Sequence, residues 1–251
     1  MRTLITGELP SRRRSGEGRP PDRDAREIFH KPADLMFREI QGLLLEEQVF
    51  TEADLDRLDM KSARAWKHDP RLYMHRCTVA VGAYWLSRIR GEGLQRQALG
   101  FVCGFDHDEG KEKIPPEILY ASKADWSKNR EQYMALIRRH PIDGYLSLLR
   151  EESRYAKRSA IVAACHHLEQ SDPYPSQEEL RRYGIRVPKK GVLRSVVVDT
   201  ILMDHVDGSL RNDQPLAASS DLTIAVRKVH LKERLPGYDE LIDLAFSGII
   251  A

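Results

Sequence analysis

No apolar run in this chain approaches the roughly 18 residues that a membrane-crossing helix needs, so the sequence predicts no membrane span. Cysteine is scarce. The three present, Cys77, Cys103 and Cys165, lie far apart in apolar segments, which argues against a disulfide framework and for buried free thiols in a reducing compartment. Charge of one sign is not in excess either: the formal net charge is +2 and the pI is 8.4, which gives no broad electrostatic footprint for nucleic acid. The opening, MRTLITGELPSRRR, has too short an apolar run for a secretory signal and carries its basic cluster on the wrong side, so a cytoplasmic location is expected. Internal repeats, a GxxxxGK phosphate loop and a Ser-His-Asp arrangement are all missing, which sets aside the chemistries those motifs carry. Alternating β-branched segments are few, and Ser195 to Thr200 is the one rival to a helical reading.

What remains is helical periodicity. With 251 residues, 41% hydrophobic and 31% charged, the chain can bury a full core. Residues 1–27 hold Arg12-Arg13-Arg14 with Gly, Pro and scattered acids, the composition of a flexible basic arm. Apolar steps of three and four begin near Pro32, through Leu35, Met36, Ile40, Leu43, Leu44 and Leu45, and Thr51-Glu-Ala-Asp has the shape of a capping box. This helical lead-in, residues 28–69, is expected to end near Pro70, because proline biases the residue before it out of the helix. Further helices are expected over Leu72 to Arg90, Leu94 to His107, Asn129 to Arg139, Ala156 to Cys165 and Val192 to Met203, with Pro141 a place where a helix yields or restarts. Residues 219–251, with Tyr238 to Ile250 as a last amphipathic helix, read as a C-terminal helical extension. The fold class expected is all-α.

The stretch Asp106-His107-Asp108-Glu109-Gly110-Lys111 stands out because it puts polar and charged residues directly after the apolar run Ala98 to Phe105. Burying them requires partners. A divalent metal is an economical one, since neutral imidazole nitrogen and carboxylate oxygen are ligands for iron, manganese, zinc or nickel and an Asp can bridge two ions. His75, His107, Asp108, His140, His166 and His167 all fall at helix ends or just inside them, followed by an Asp near position 200. The intervals of 32, 33 and 26 residues between His75, His107, His140 and His166 are each about one helical hairpin long, so successive helices can bring them to one place in a bundle core.

In this order and context the residues resemble the HD superfamily of metal-dependent phosphohydrolases, most of all its HD-GYP branch, the bacterial signalling enzymes that hydrolyse cyclic di-GMP. DHDEGKEKIPPEIL is similar to that branch's HDIGKIxIPxxIL, and Arg139-His140-Pro141-Ile142-Asp143-Gly144 is similar to its HPxxG. The resemblance runs from about Tyr73 to Leu216 and implies an HD-type domain over residues 70–218. It further implies a centre of two divalent ions (iron or manganese first, then zinc, nickel or magnesium) held by His75, His107, Asp108, His140, His166, His167 and a late Asp. Asp108 would bridge the ions and Lys111 would face the substrate phosphate, giving a metal-dependent phosphodiesterase whose substrate is a cyclic dinucleotide, cyclic di-GMP first. The alternatives are hydrolysis of another nucleotide phosphate ester, or a metal-containing module that senses a ligand or binds a protein. A homodimer or a regulatory protein are the partners expected.

The sequence also departs from that branch. HHExxDGxGYP becomes HHLEQSDPYP, in which only Tyr174-Pro175 survive of the name motif; without its glycines the loop is expected to take another path. Arg71 stands where three-metal members have Glu, so no third metal is expected. Asp106 and Glu109 replace apolar positions beside the HD pair and are expected to add negative charge near the metals. Two residues compete as the late ligand. Asp199 suits the spacing from His167, whereas Asp204, with Asp207, Arg211 and Pro215, resembles the branch's DxxDALxxxRPY; Asp204 is the assignment, and His205 beside it is left outside the ligand set.

Overall fold

The computed structural model describes residues 33–119, 121, 123–169 and 172–212. The basic arm, the C-terminal extension and Arg211 with Pro215 of the late motif lie outside the residues or side chains described. Among the described residues every regular element is helical, and no helix is long and apolar enough to cross a membrane.

The lead-in forms two helices, α1 (Ala33–Glu46) and α2 (Glu52–His68). α1 buries Met36, Phe37, Ile40 and Leu44 along one stripe, the spacing of an amphipathic helix face. Thr51 opens α2 with the capping box its sequence predicts: Asp54 N donates to Thr51 Oγ1 at 3.2 Å, and Thr51 N donates to Asp54 Oδ2 at 2.9 Å. Asp69 then ends α2 and starts α3 (Pro70–Ile89) in one extended residue, its carboxylate accepting from Arg71 N at 2.7 Å. Pro70, whose missing N–H costs nothing at a first helical position, follows it directly.

α3 is apolar around most of its circumference, and it is buried from Leu72 to Ser87 apart from Met74 and Thr78. Such a helix has to be surrounded. It packs against α1, α2, α4 (Leu94–Asp106) and α9 (Val192–Asn212). Phe37 joins this core by stacking on Phe101 at 4.6 Å between ring centroids and lying 4.7 Å from Phe105. After α4 come a 3-10 turn (Glu109–Lys113), the short α5 (Pro116–Leu119), α6 (Lys123–Leu148), α7 (Ala156–Cys165) and the short α8 (Gln177–Arg182). α6 packs on both the 3-10 turn and α7, so the HD segment is held between helices from either side. Cys77, Cys103 and Cys165 are buried free thiols.

Two expectations need correction. Pro141 does not end a helix: α6 runs through it to Leu148, and the non-helical backbone is instead at Asn129 (φ −123°, ψ 22°). The helix expected over Val192 to Met203 forms, Ser195 to Thr200 included, but it does not stop at Met203: α9 continues nine residues further, to Asn212.

Candidate metal centre

Three histidines owe their orientation to one backbone device. An α-helix ends with carbonyls that have no N–H four residues further on. His107 follows α4, and its Nδ1–H donates to Gly104 O at 2.6 Å; His166 follows α7, and its Nδ1–H donates to Ala163 O at 2.7 Å. His140 sits inside α6, where Pro141 has no N–H to give Ile137 O, and His140 Nδ1–H donates to that carbonyl at 2.5 Å. A carbonyl only accepts, so Nδ1 carries a proton in each ring, and in the neutral imidazole Nε2 then keeps the bare lone pair. His75, on α3, reaches the same state differently: its Nδ1 lies 2.5 Å from Asp207 Oδ2.

The four Nε2 atoms converge in two pairs. His75 and His107 bring theirs to 3.2 Å, and His140 and His166 bring theirs to 3.2 Å. Asp108 stands between the pairs. Its Oδ2 is 3.0 Å from His75 Nε2 and 3.3 Å from His107 Nε2, while its Oδ1 is 3.2 Å from His140 Nε2 and 3.5 Å from His166 Nε2. Asp204 Oδ1 adds to the first pair, 3.2 Å from His75 Nε2, and His167 joins the second. His107, Asp108, His140 and His166 are fully buried, and Asp108 Oδ1 accepts no hydrogen bond among the described residues. With the imidazoles neutral, as metal ligation requires, these atoms are acceptors aimed at acceptors. With metal–nitrogen bonds of about 2.1 Å, nitrogens 3.2 Å apart subtend roughly 100° at one ion. The residues therefore fit divalent cations that take imidazole and carboxylate ligands.

The two groups differ in charge preference. Burial alone would lower the pKa of His75 and His107, but Asp108 and Asp204 outweigh it, with Asp207 adding at His75, and both are raised. Burial wins at His166, pushed down to about 4, and also lowers His140 and His167. Tyr174 lies on the imidazole-rich side, stacked on His167 with ring centroids 4.4 Å apart. Lys111, on the 3-10 turn, places Nζ 2.6 Å from Asp108 Oδ2.

The glycines of the two motifs account for how closely these elements approach. A Cβ on Gly110 would lie 1.9 Å from His140 O and 2.7 Å from Gly144 N. The turn that carries Asp108 and the helix that carries His140 thus touch backbone to backbone.

All seven ligand candidates, His75, His107, Asp108, His140, His166, His167 and Asp204, come to this one place. Asp199 does not. It is buried between Arg90 Nη1 at 2.5 Å and Arg96 Nη2 at 2.6 Å. His205 can join His167 and Asp204 in a third grouping and is half-buried.

The expectation that Asp106 and Glu109 add negative charge near the metals is corrected by their partners. Asp106 binds Arg57 at 2.6 Å and Lys61 at 2.7 Å; Glu109 binds Lys61 at 3.0 Å, Arg76 at 2.9 Å and Arg64. Glu112 pairs with Arg64 and Arg76, and Glu151 lies 2.6 Å from Arg57 and 2.9 Å from Lys61. Sequence reasoning missed this cluster and the contact of Asp207 with His75. Its available signals were the helical spacing of Arg57, Lys61 and Arg64, and the three-residue step from Asp204 to Asp207.

No family model matches the chain, and no curated protein matches it. Among solved structures it is similar to the HD domain of the L. monocytogenes phosphodiesterase PgpH, at 17% identity over 75% of this chain and 94% of that one, with a TM-score of 0.53. It is equally similar to that domain in complex with cyclic-di-AMP, at 16% identity, the same coverage of 75% and 94%, and a TM-score of 0.53. At this identity the likeness is one of fold, and the all-helical HD-domain architecture is shared.

Proposed function

We propose that this chain is a metal-dependent phosphodiesterase acting on a cyclic dinucleotide. The observation that carries the reading is Asp108, a buried carboxylate whose two oxygens each face a separate pair of imidazole lone pairs. His75, His107, Asp108 and Asp204 would hold one ion, and His140, His166, His167 and Asp108 a second. Divalent ions bound there would supply Lewis-acid polarisation of a phosphoryl oxygen and an acidified water. The motif resemblance favours cyclic di-GMP as substrate. A second reading, cyclic di-AMP, is supported by the PgpH domain complexed with that nucleotide.

The residues themselves account for the rest of the proposed chemistry. The Nδ1–H bonds to backbone carbonyls fix His107, His140 and His166 in the tautomer that offers Nε2 inward, so no side-chain rearrangement is needed to present the ligands. Burial removes competing water from around Asp108 and strengthens every charge interaction there. Lys111 is a cation held beside Asp108, placed to stabilise negative charge that develops on a phosphoryl oxygen.

The test is hydrolysis by protein reconstituted with manganese or ferrous iron, with cyclic di-GMP, cyclic di-AMP and an aryl phosphodiester assayed in parallel. A linear dinucleotide product from either cyclic substrate is the result expected, and the preferred one settles the base. Turnover of the aryl diester alone would overturn the cyclic-dinucleotide assignment, and metal uptake with no turnover of any diester would overturn the enzymatic reading.

A further inference from the structure

The ligand histidines are not supported alike. His107, His140 and His166 each donate Nδ1–H to a neutral backbone carbonyl, whereas the Nδ1 of His75 meets a carboxylate, Asp207 Oδ2, at 2.5 Å. Hydrogen bonds to an ionised acceptor are shorter and about twice as strong as neutral ones. A carboxylate behind a ligating imidazole also fixes its ring and raises its basicity toward a metal. Asp207 is buried and lies three residues after Asp204 on α9, so both carboxylates fall on the same face of that helix. The register of α9 is fixed one turn and a half earlier, where Asp199 is clamped between Arg90 and Arg96.

The carboxylates are therefore unevenly distributed. The group of His75, His107, Asp108 and Asp204 has Asp204 3.2 Å from His75, a share of Asp108 and a further carboxylate, Asp207, behind His75, whereas the group of His140, His166 and His167 has three imidazoles, a share of Asp108 and Asp204 within reach of His167. We propose that Asp207 is a positioning residue that makes the two ligand groups unequal, so that the group containing His75 binds a divalent ion first and more tightly, and the imidazole-rich group binds second. This rests on the two-ion reading given above, but it concerns the order of loading and not the substrate.

The experiment is a stepwise titration of metal-stripped, full-length protein with Mn²⁺, following free Mn²⁺ by electron paramagnetic resonance. Two separated steps are expected for the wild type. His140→Ala is expected to remove the weaker step and leave the tighter one, which assigns the steps to the groups. Asp207→Asn keeps the size and a hydrogen-bond acceptor, and it is expected to weaken the tighter step about 10- to 100-fold while the weaker step moves less than about threefold. A melting temperature close to wild type separates this from a general loss of fold. Two equal steps in the wild type, or an Asp207→Asn variant whose two steps shift together or not at all, would overturn the proposal while leaving the phosphodiesterase reading intact. Ordered loading without hydrolysis of any diester would support the proposal and sink that reading instead. Absence of Mn²⁺ binding would sink both.

Discussion

Gly110→Ala tests the backbone contact on which the centre is built. The added Cβ would sit 1.9 Å from His140 O and 2.7 Å from Gly144 N. Ordinary contact begins near 3.4 Å, so the 3-10 turn and α6 have to part by about 1.5 Å, with helical backbone on one side and the motif turn on the other. Overpacking of this kind costs roughly 1–3 kcal/mol, and here the upper end applies because neither contact atom belongs to a flexible side chain. For a chain of this size about 3 kcal/mol corresponds to a fall of roughly 6–12 °C in melting temperature. The same displacement acts on the 3.2 Å contact between His140 Nε2 and Asp108 Oδ1, so metal uptake is expected to fall as well. Thermal unfolding and metal analysis of purified protein measure both. Gly42→Ala is the control: it lies in α1 with nothing among the described residues within 4 Å of its added Cβ, and it is expected to keep or raise stability by about 0.5–1 kcal/mol. A Gly110→Ala protein that melts within about 2 °C of wild type with full metal content would refute the reasoning.

Asp204→Asn is expected to lower metal uptake with little loss of stability, whereas Asp199→Asn, which breaks a buried pair with Arg90 and Arg96, is expected to keep metal uptake and cost at most about 3 kcal/mol, because burial, which raises the Asp199 pKa, already offsets part of that attraction; metal analysis with urea unfolding checks both, and the reverse pattern would exchange their roles. Lys111→Ala is expected to retain metal and lose at least about tenfold in hydrolysis, as removal of a charge-stabilising group does; unchanged kinetics would reject the role given to the lysine. Burial would raise the pKa of Asp106, but Arg57 and Lys61 outweigh it, and the arginine and lysine partners of Glu109 do the same there, so both carboxyls are held below their ordinary range. Their contribution is present above the unfolded carboxyl values near 4 and is lost as pH falls through the lower folded values. Urea unfolding between pH 7 and pH 3 is expected to show the onset of this loss as pH falls toward 3, smaller in Lys61→Met, and equal pH dependence in the two proteins would contradict it.

His107, His166 and His167 were legible in the sequence because they stand where helical patterning stops, whereas His75 and His140 lie inside α3 and α6 and were legible through intervals of about one helical hairpin, which bring all of them together. Choosing between Asp199 and Asp204 was harder for a geometric reason. Five residues along an α-helix turn a side chain by about 140°, so the two acids serve different faces of α9, and only the positions of Arg90 and Arg96 determine which face meets which neighbour. Pro141 misled local reading because a proline inside a helix ordinarily costs about 3 kcal/mol. Part of that cost is the carbonyl it leaves unpaired, and here His140 uses that carbonyl to orient its own ring. The roles of Asp106 and Glu109 were illegible nearby, since Arg57, Lys61 and Arg64 lie more than forty residues earlier in the chain.

That distance explains what the charged cluster contributes. Four cations, Arg57, Lys61, Arg64 and Arg76, meet four anions, Asp106, Glu109, Glu112 and Glu151, so the assembly is neutral as a whole. Well-packed apolar residues would give about as much stability, because desolvation offsets most of the attraction between buried charges. They would not fix position equally well. An apolar α2 would be positioned by shape alone, whereas the cations at positions 57, 61 and 64 add a particular carboxylate partner at each of three points along the helix. Asp106 precedes the ligand pair His107–Asp108 and Glu109 follows it, so anchoring those two side chains on α2 holds both ends of the segment that meets both imidazole pairs. The lead-in helix thereby supports the centre without supplying a ligand to it.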